Sequence, residues 1–111
     1  MKIDVQQRNG VSIVSISDDY TGPDGDLAKT VNPLIEQPGA RVVLDLAGVG
    51  YINSAALGEL VRITAQANSQ GARVVLAALS PFVAGVLDTT RLSRFFEIHS
   101  TVDDAVAKLL A

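Results

Sequence analysis

Apolar and polar positions recur along this chain with two different periods, and the changes of period divide it into strands and helices. Ile3 to Gln7 alternates weakly, which predicts an edge strand. Asn9-Gly10 follows, the dipeptide that best tolerates the positive φ angles of a tight hairpin turn. Val11, Ile13 and Ile16, with Val14 between them, predict the returning strand, Val11 to Ser17. The segment DDYTGPDGD, Asp18 to Asp26, is dense in turn formers and reads as a loop. Leu27, Val31, Leu34 and Ile35 then fall at helical spacing. Asn32-Pro33 either starts that helix, with Asn as the cap, or kinks one that began near Asp26; Pro38-Gly39 ends it in both cases.

Arg41 to Leu46 is apolar except at Asp45, the pattern of a central strand buried on both faces. Gly48 and Gly50 mark a turn. Ala55 to Gln70 predicts a helix with Leu57, Leu60, Val61, Thr64 and Ala65 on one face, stopped by Gly71. Arg73 to Ala78 is a second buried strand. Ser80 caps a helix from Pro81 to about Thr90 that buries Phe82, Val83, Val86 and Leu87. Phe95 to Ile98 predicts a last short strand. Thr101 caps a final helix with Val102, Ala105, Val106, Leu109 and Leu110 as its apolar stripe. The order ββαβαβαβα implies an α/β fold: a mixed, mostly parallel sheet of about five strands, opened by an antiparallel hairpin and covered by about four helices.

Composition sharpens this picture. The 111 residues are 48% hydrophobic and 19% charged, which fits one ordered domain, 1–111, with no repeat, linker or low-complexity tract. Aromatics make up only 5%, so the core is built of Val, Leu, Ile and Ala. The net charge of −3, with scattered Lys and Arg, argues against direct binding of nucleic acid. The absence of cysteine excludes disulfides and thiolate metal sites. The start shows no signal-peptide pattern, and no stretch is apolar for the roughly 18 residues of a membrane span. A cytoplasmic protein is expected.

Five groups of residues carry candidate chemistry. Ser54 lies where a turn meets a helix. There Asn53 or Ser54 caps the helix, and a phosphate on Ser54 would meet free N–H donors and the positive end of the helix dipole. Asp18, Asp19 and Asp45 lie near strand ends and could hold a divalent metal and accept a phosphoryl group, as in a receiver domain. Against that, Asp45 is inside its strand, and His99 rather than a lysine follows the late strand. His99, the single histidine, could nominally join Ser54 and an aspartate in a triad, but the G-x-S-x-G elbow is missing. Gly48-Val49-Gly50 lacks the third glycine and the lysine of a phosphate loop, and Arg91 and Arg94 offer charge for a phosphate or an acidic partner.

The run VVLDLAGVGYINSAALGEL resembles the signature of STAS domains, especially bacterial anti-sigma factor antagonists. In that family a buried strand ending LDLS leads to a hydrophobic pair, then Asp-Ser, a small residue, Gly-Leu and a helix. Here Leu44-Asp45-Leu46-Ala47 matches the strand end and Tyr51-Ile52 the hydrophobic pair. Ser54 falls on the family's phosphorylated serine, Ala55 is the small residue and Leu57 fits. GARVVLAALSPFVAGVLDTTRL and FEIHSTVDDAVAKL extend the resemblance through the later elements. Four departures stand out. Asn53 replaces the usual Asp, Ala56 replaces a glycine and adds a methyl toward an approaching partner, Arg91 replaces a glycine, and the Gly-x-Leu-Asp start of the first helix is missing.

The resemblance implies a regulatory binding module, not an enzyme, with no cofactor or metal of its own. The unmodified form would bind an anti-sigma factor with a GHKL-type serine kinase fold and so free a sigma factor. That kinase would phosphorylate Ser54 with Mg-ATP and break the complex, and a PP2C-type phosphatase would reset it. Asn53, Ser54 and Ala55, with Glu59 and Arg62 on the exposed face of the next helix, would form the contact. Asn53 and Ala56 favour an alternative, a non-switching STAS scaffold that self-associates or serves in a stressosome-like or lipid-transport complex.

Overall fold

Side-chain parity along the strands decides how this molecule layers. A computed structural model describes residues 2–21 and 25–111. It contains five strands: β1 Lys2–Arg8, β2 Val11–Ser17, β3 Arg41–Gly48, β4 Arg73–Ala77 and β5 Ile98–His99. They form one sheet in the order β1-β2-β3-β4-β5, antiparallel between β1 and β2 and parallel thereafter. The helices are α1 Asp26–Val31, α2 Ser54–Ser69, α3 Pro81–Thr89 and α4 Val102–Leu110. The predicted α/β fold is therefore the observed one.

Even-numbered strand residues, among them Val14, Ile16, Val42, Leu44, Leu46, Val74 and Leu76, pack against Leu27 and Val31 of α1, Leu57, Leu60 and Ile63 of α2, and Val83 and Leu87 of α3. Odd-numbered residues Val11, Ile13, Val43, Val75 and Ala77 pack against Ala105, Val106 and Leu109 of α4. The central strands are thus apolar on both faces, as expected of a parallel sheet covered twice. The nine residues of α4 cannot cover their whole face. Ser15, Ser17 and Asp45 lie half-buried beyond its reach, which accounts for the one charge inside β3.

Local chemistry terminates the elements where it was expected to. Asn9 and Gly10 have φ of 52° and 81° and place Arg8 opposite Val11. Ser80 and Thr101 cap α3 and α4, accepting from the N–H groups of Val83 at 3.3 Å and Asp104 at 3.0 Å. Gly71, at φ 77°, turns the chain out of α2, and the Ala72 N–H reaches back to the Ala67 carbonyl at 2.9 Å. At Pro33 the helix begun at Asp26 is not broken but tightened, continuing as a 3-10 turn over Asn32–Ile35, because proline offers no N–H to an α-helical ladder.

Four expectations are corrected. The last strand is Ile98–His99, not Phe95 to Ile98, because Leu92–Arg94 form a 3-10 turn whose Leu92 carbonyl accepts from the N–H groups of Phe95 and Phe96. On α3, Phe82 is 48% exposed and Val86 only partly buried, so Val83 and Leu87 alone carry that helix's buried stripe. The buried stripe of α2 is Ala56, Leu57, Leu60, Ile63, Thr64 and Ala67, with Val61 at its margin and Ala65 exposed. Leu110, at the end of α4, is likewise exposed.

Candidate functional site

The site is the turn that carries β3 into α2. Gly48 ends β3 against the backbone of Ser17; a Cβ there would lie 3.0 Å from the Ser17 Cα, so glycine allows the two chains to close. Val49 and Ile52 turn inward and are buried, leaving Tyr51 outside. The turn is held by its neighbour: the Tyr20 N–H donates to the Tyr51 carbonyl at 2.9 Å, and the Asn53 N–H donates to the Tyr20 carbonyl at 3.4 Å.

Of the two candidate caps, Asn53 is the one used. Its extended backbone and its Oδ1, which accepts from the Ala56 N–H at 3.0 Å, make it the N-cap, with Ser54 the first helical residue. Ser54 and Ala55 are exposed, and Ala56 and Leu57 turn into the core. The methyl that Ala56 adds therefore meets the core and not an approaching partner, a correction to the reading from sequence. No acidic side chain lies in the first turn of α2, so the positive end of its dipole is uncompensated at Ser54.

Glu59 requires the larger correction. It was expected on the exposed face of α2, but it is 3% exposed and accepts a hydrogen bond from the hydroxyl of Tyr20, itself fully buried. Tyr20 belongs to the segment read as a solvated loop. Its ring enters the core beside α2, and burial there, helped by the Glu59 hydrogen bond and charge, pushes its phenol far above the ordinary tyrosine range. No local pattern marks this pair, which is joined across 39 residues. The one trace in the sequence is an aromatic side chain inside a stretch of turn formers.

Arg62 is exposed, as expected, and lies on the same helical stripe as Ser54 and Gly58, at successive fourth positions. A Cβ on Gly58 would sit 3.3 Å from an Arg62 guanidinium nitrogen. The guanidinium thus folds back one turn, over Gly58 and toward Ser54. Beside this stripe Tyr51, 43% exposed, packs on Phe82 with ring centroids 5.4 Å apart. Reading the sequence alone missed both Gly58 and this aromatic pair.

The other candidates are not brought together. Both carboxylate oxygens of Asp45 are used within the sheet, by the Ser15 hydroxyl at 3.0 Å and the Ala47 N–H at 3.1 Å. Asp18 and Asp19 are exposed, and no group of three or more His, Asp or Glu side chains suited to a metal occurs among the described residues. His99 shares the α4 face with Ala77 and bonds Glu97 at 2.8 Å, on the side of the sheet opposite α2 and Ser54. Burial would raise the Glu97 carboxyl, but hydrogen bonds and charge from Arg73 and His99 outweigh it and hold it below its usual value. Arg91 takes a left-handed conformation, φ 62°, where the family resemblance has glycine.

This fold, with a serine opening α2 from an exposed turn, is that of a known family. The STAS domain model matches residues 2–105, and the chain belongs to that family. Its structure superposes on a protein of Thermotoga maritima assigned as an anti-sigma factor antagonist, with a TM-score of 0.86 at 22% identity, covering 98% of this chain and 95% of that one. An anti-sigma factor antagonist (STAS) domain protein of Planctomyces limnophilus gives 0.85 at 22% identity over 98% of both chains. The Bacillus cell-fate determinant SpoIIAA in its phosphorylated form gives 0.72 at 12% identity over 97% and 99%. The chain therefore has an anti-sigma factor antagonist-like STAS fold. Among the described residues no helix is long and apolar enough to cross a membrane.

Proposed function

We propose that this protein is an anti-sigma factor antagonist whose binding is switched by phosphorylation of Ser54. One observation carries the reading. Asn53 performs the capping, so the exposed Ser54 is not the helix cap and is free for modification. A phosphate there adds about −1.5 to −2 charge beside the free N–H groups of the first turn and one turn from the folded-back Arg62. The fold would tolerate the modified state, and a partner would meet a changed surface.

The unmodified surface of Asn53, Ser54, Ala55 and Arg62, flanked by Tyr51 and Phe82, binds an anti-sigma factor with a GHKL-type serine kinase fold. Phosphate placed in that contact repels acidic groups and resists desolvation, so the complex dissociates. A PP2C-type phosphatase restores binding. Glu59 takes no direct part, because it is buried. Support comes from the family and from the likeness to SpoIIAA, whose solved structures include a phosphorylated form.

The test is mass spectrometry of the tryptic peptide Val42 to Arg62 from the native protein, in which Ser54 is the only serine or threonine and Tyr51 the rival to exclude by fragmentation. Phosphate on Ser54 is expected, together with weaker kinase binding by Ser54→Asp than by Ser54→Ala. Equal affinity of the two variants would overturn the switch and leave a non-switching scaffold.

A further inference from the structure

We propose that β1 is a self-association edge and that two copies join there antiparallel, about a two-fold axis through Gln6, into one continuous sheet. β1 ends the sheet, and six of its seven residues are exposed. A strand so placed presents a row of unpaired N–H and C=O groups to another strand. The hairpin sets which groups these are. With a two-residue turn at Asn9-Gly10, Arg8 and Val11 form the first bonded pair, so Arg8, Gln6, Asp4 and Lys2 bond inward to β2. Ile3, Val5 and Gln7 then point their backbone groups outward.

Charge and overlap together select the register: an axis at Ile3 would also oppose unlike charges, Lys2 and Asp4, but would overlap only Lys2–Asp4 of the strand. Asp4, Gln6 and Arg8 share the side facing α4, because they lie opposite Ser15, Ile13 and Val11. A two-fold axis at Asp4 would set Asp4 against its own copy, and one at Val5 would set Lys2 against Arg8. An axis at Gln6 sets Asp4 opposite Arg8 of the second copy at both ends, pairs Gln6 with Gln6, and bonds Val5 to Gln7 through their outward groups. Arg8 is pre-positioned by donating one guanidinium N–H to Asp103 Oδ1 at 2.6 Å, and it has further donors to spare.

The test is sedimentation analysis of the full chain from roughly 1 μM to 1 mM, with circular dichroism to verify that each variant folds. A concentration-dependent dimer is expected for the native chain. Asp4→Arg and Arg8→Asp, each alone, face like charges across the axis and should weaken dimerisation at least tenfold. Mixed in equal amounts, these two variants face opposite charges at both ends and should form a heterodimer. A native chain monomeric throughout, single variants that dimerise as the native chain does, or a mixture that stays monomeric would each overturn the proposal.

Discussion

Tyr20→Phe tests the most consequential contact in the molecule. The change removes one oxygen and keeps the ring, so the core volume around it is preserved. What is lost is the donor to Glu59, a side chain 3% exposed that the hydrogen bond from Tyr20 holds on the core side of α2. A hydrogen bond to a charged acceptor contributes about 1.5–3 kcal/mol, and a buried group left unsatisfied costs as much. We expect a loss of about 2–3 kcal/mol, a large part of the total for a domain whose stability is typically ~5–15 kcal/mol. With a Tm shift of ~4–8 °C per kcal/mol in a domain near this size, Tm should fall by on the order of 10 °C or more. Urea unfolding followed by far-ultraviolet circular dichroism measures the change, since the chain has no tryptophan. Glu59→Leu should be costly alone and much less so in the Tyr20→Phe background, because removing both polar partners together leaves nothing unsatisfied. Tyr20→Phe within about 0.5 kcal/mol of the native protein, the range of an unremarkable surface change, would refute the reasoning.

Asn53→Ala should cost roughly 0.5–2 kcal/mol through loss of the cap, while Ser54→Asp should leave stability unchanged or raise it by up to ~1 kcal/mol through the dipole, both read by the same urea transitions. Arg91→Gly should stabilise by about 1 kcal/mol, because φ 62° strains any residue with a Cβ, and a lower urea midpoint would refute this. Tyr20 stays protonated in the fold well above the ordinary range, so stability should hold below its unfolded pKa of ~10 and fall as pH rises beyond it. In a Tyr51→Phe background tyrosinate absorbance should then appear together with unfolding. The Glu97 carboxyl is held low, so its contribution is present above its unfolded pKa and is lost as pH falls through the folded one. Glu97→Gln should flatten the acid limb of the stability profile.

The sequence alone determined those features whose causes are local. Asn9-Gly10 makes the hairpin because only certain residues accept positive φ twice in succession. Ser80 and Thr101 start helices because a short polar side chain reaches an N–H three residues on, whereas at α2 the sequence offered Asn53 and Ser54 alike. The two-sided apolar runs of β3 and β4 require helices on both faces, and the position of Ser54 at a turn-to-helix junction follows from the same patterns. Tertiary structure decided the rest. Helical periodicity could place Glu59 on one side of α2, but only the arrival of Tyr20 from a distant loop made that side an interior. Phe82 carries the apolarity of a core residue, yet it sits outside, packed on Tyr51 from a distant turn. Phe95 and Phe96 read as strand, yet their N–H groups turn back to the Leu92 carbonyl and only Phe96 is buried. For Glu59 and Phe82 the deciding contact joins residues far apart in the chain, and no local pattern encodes it.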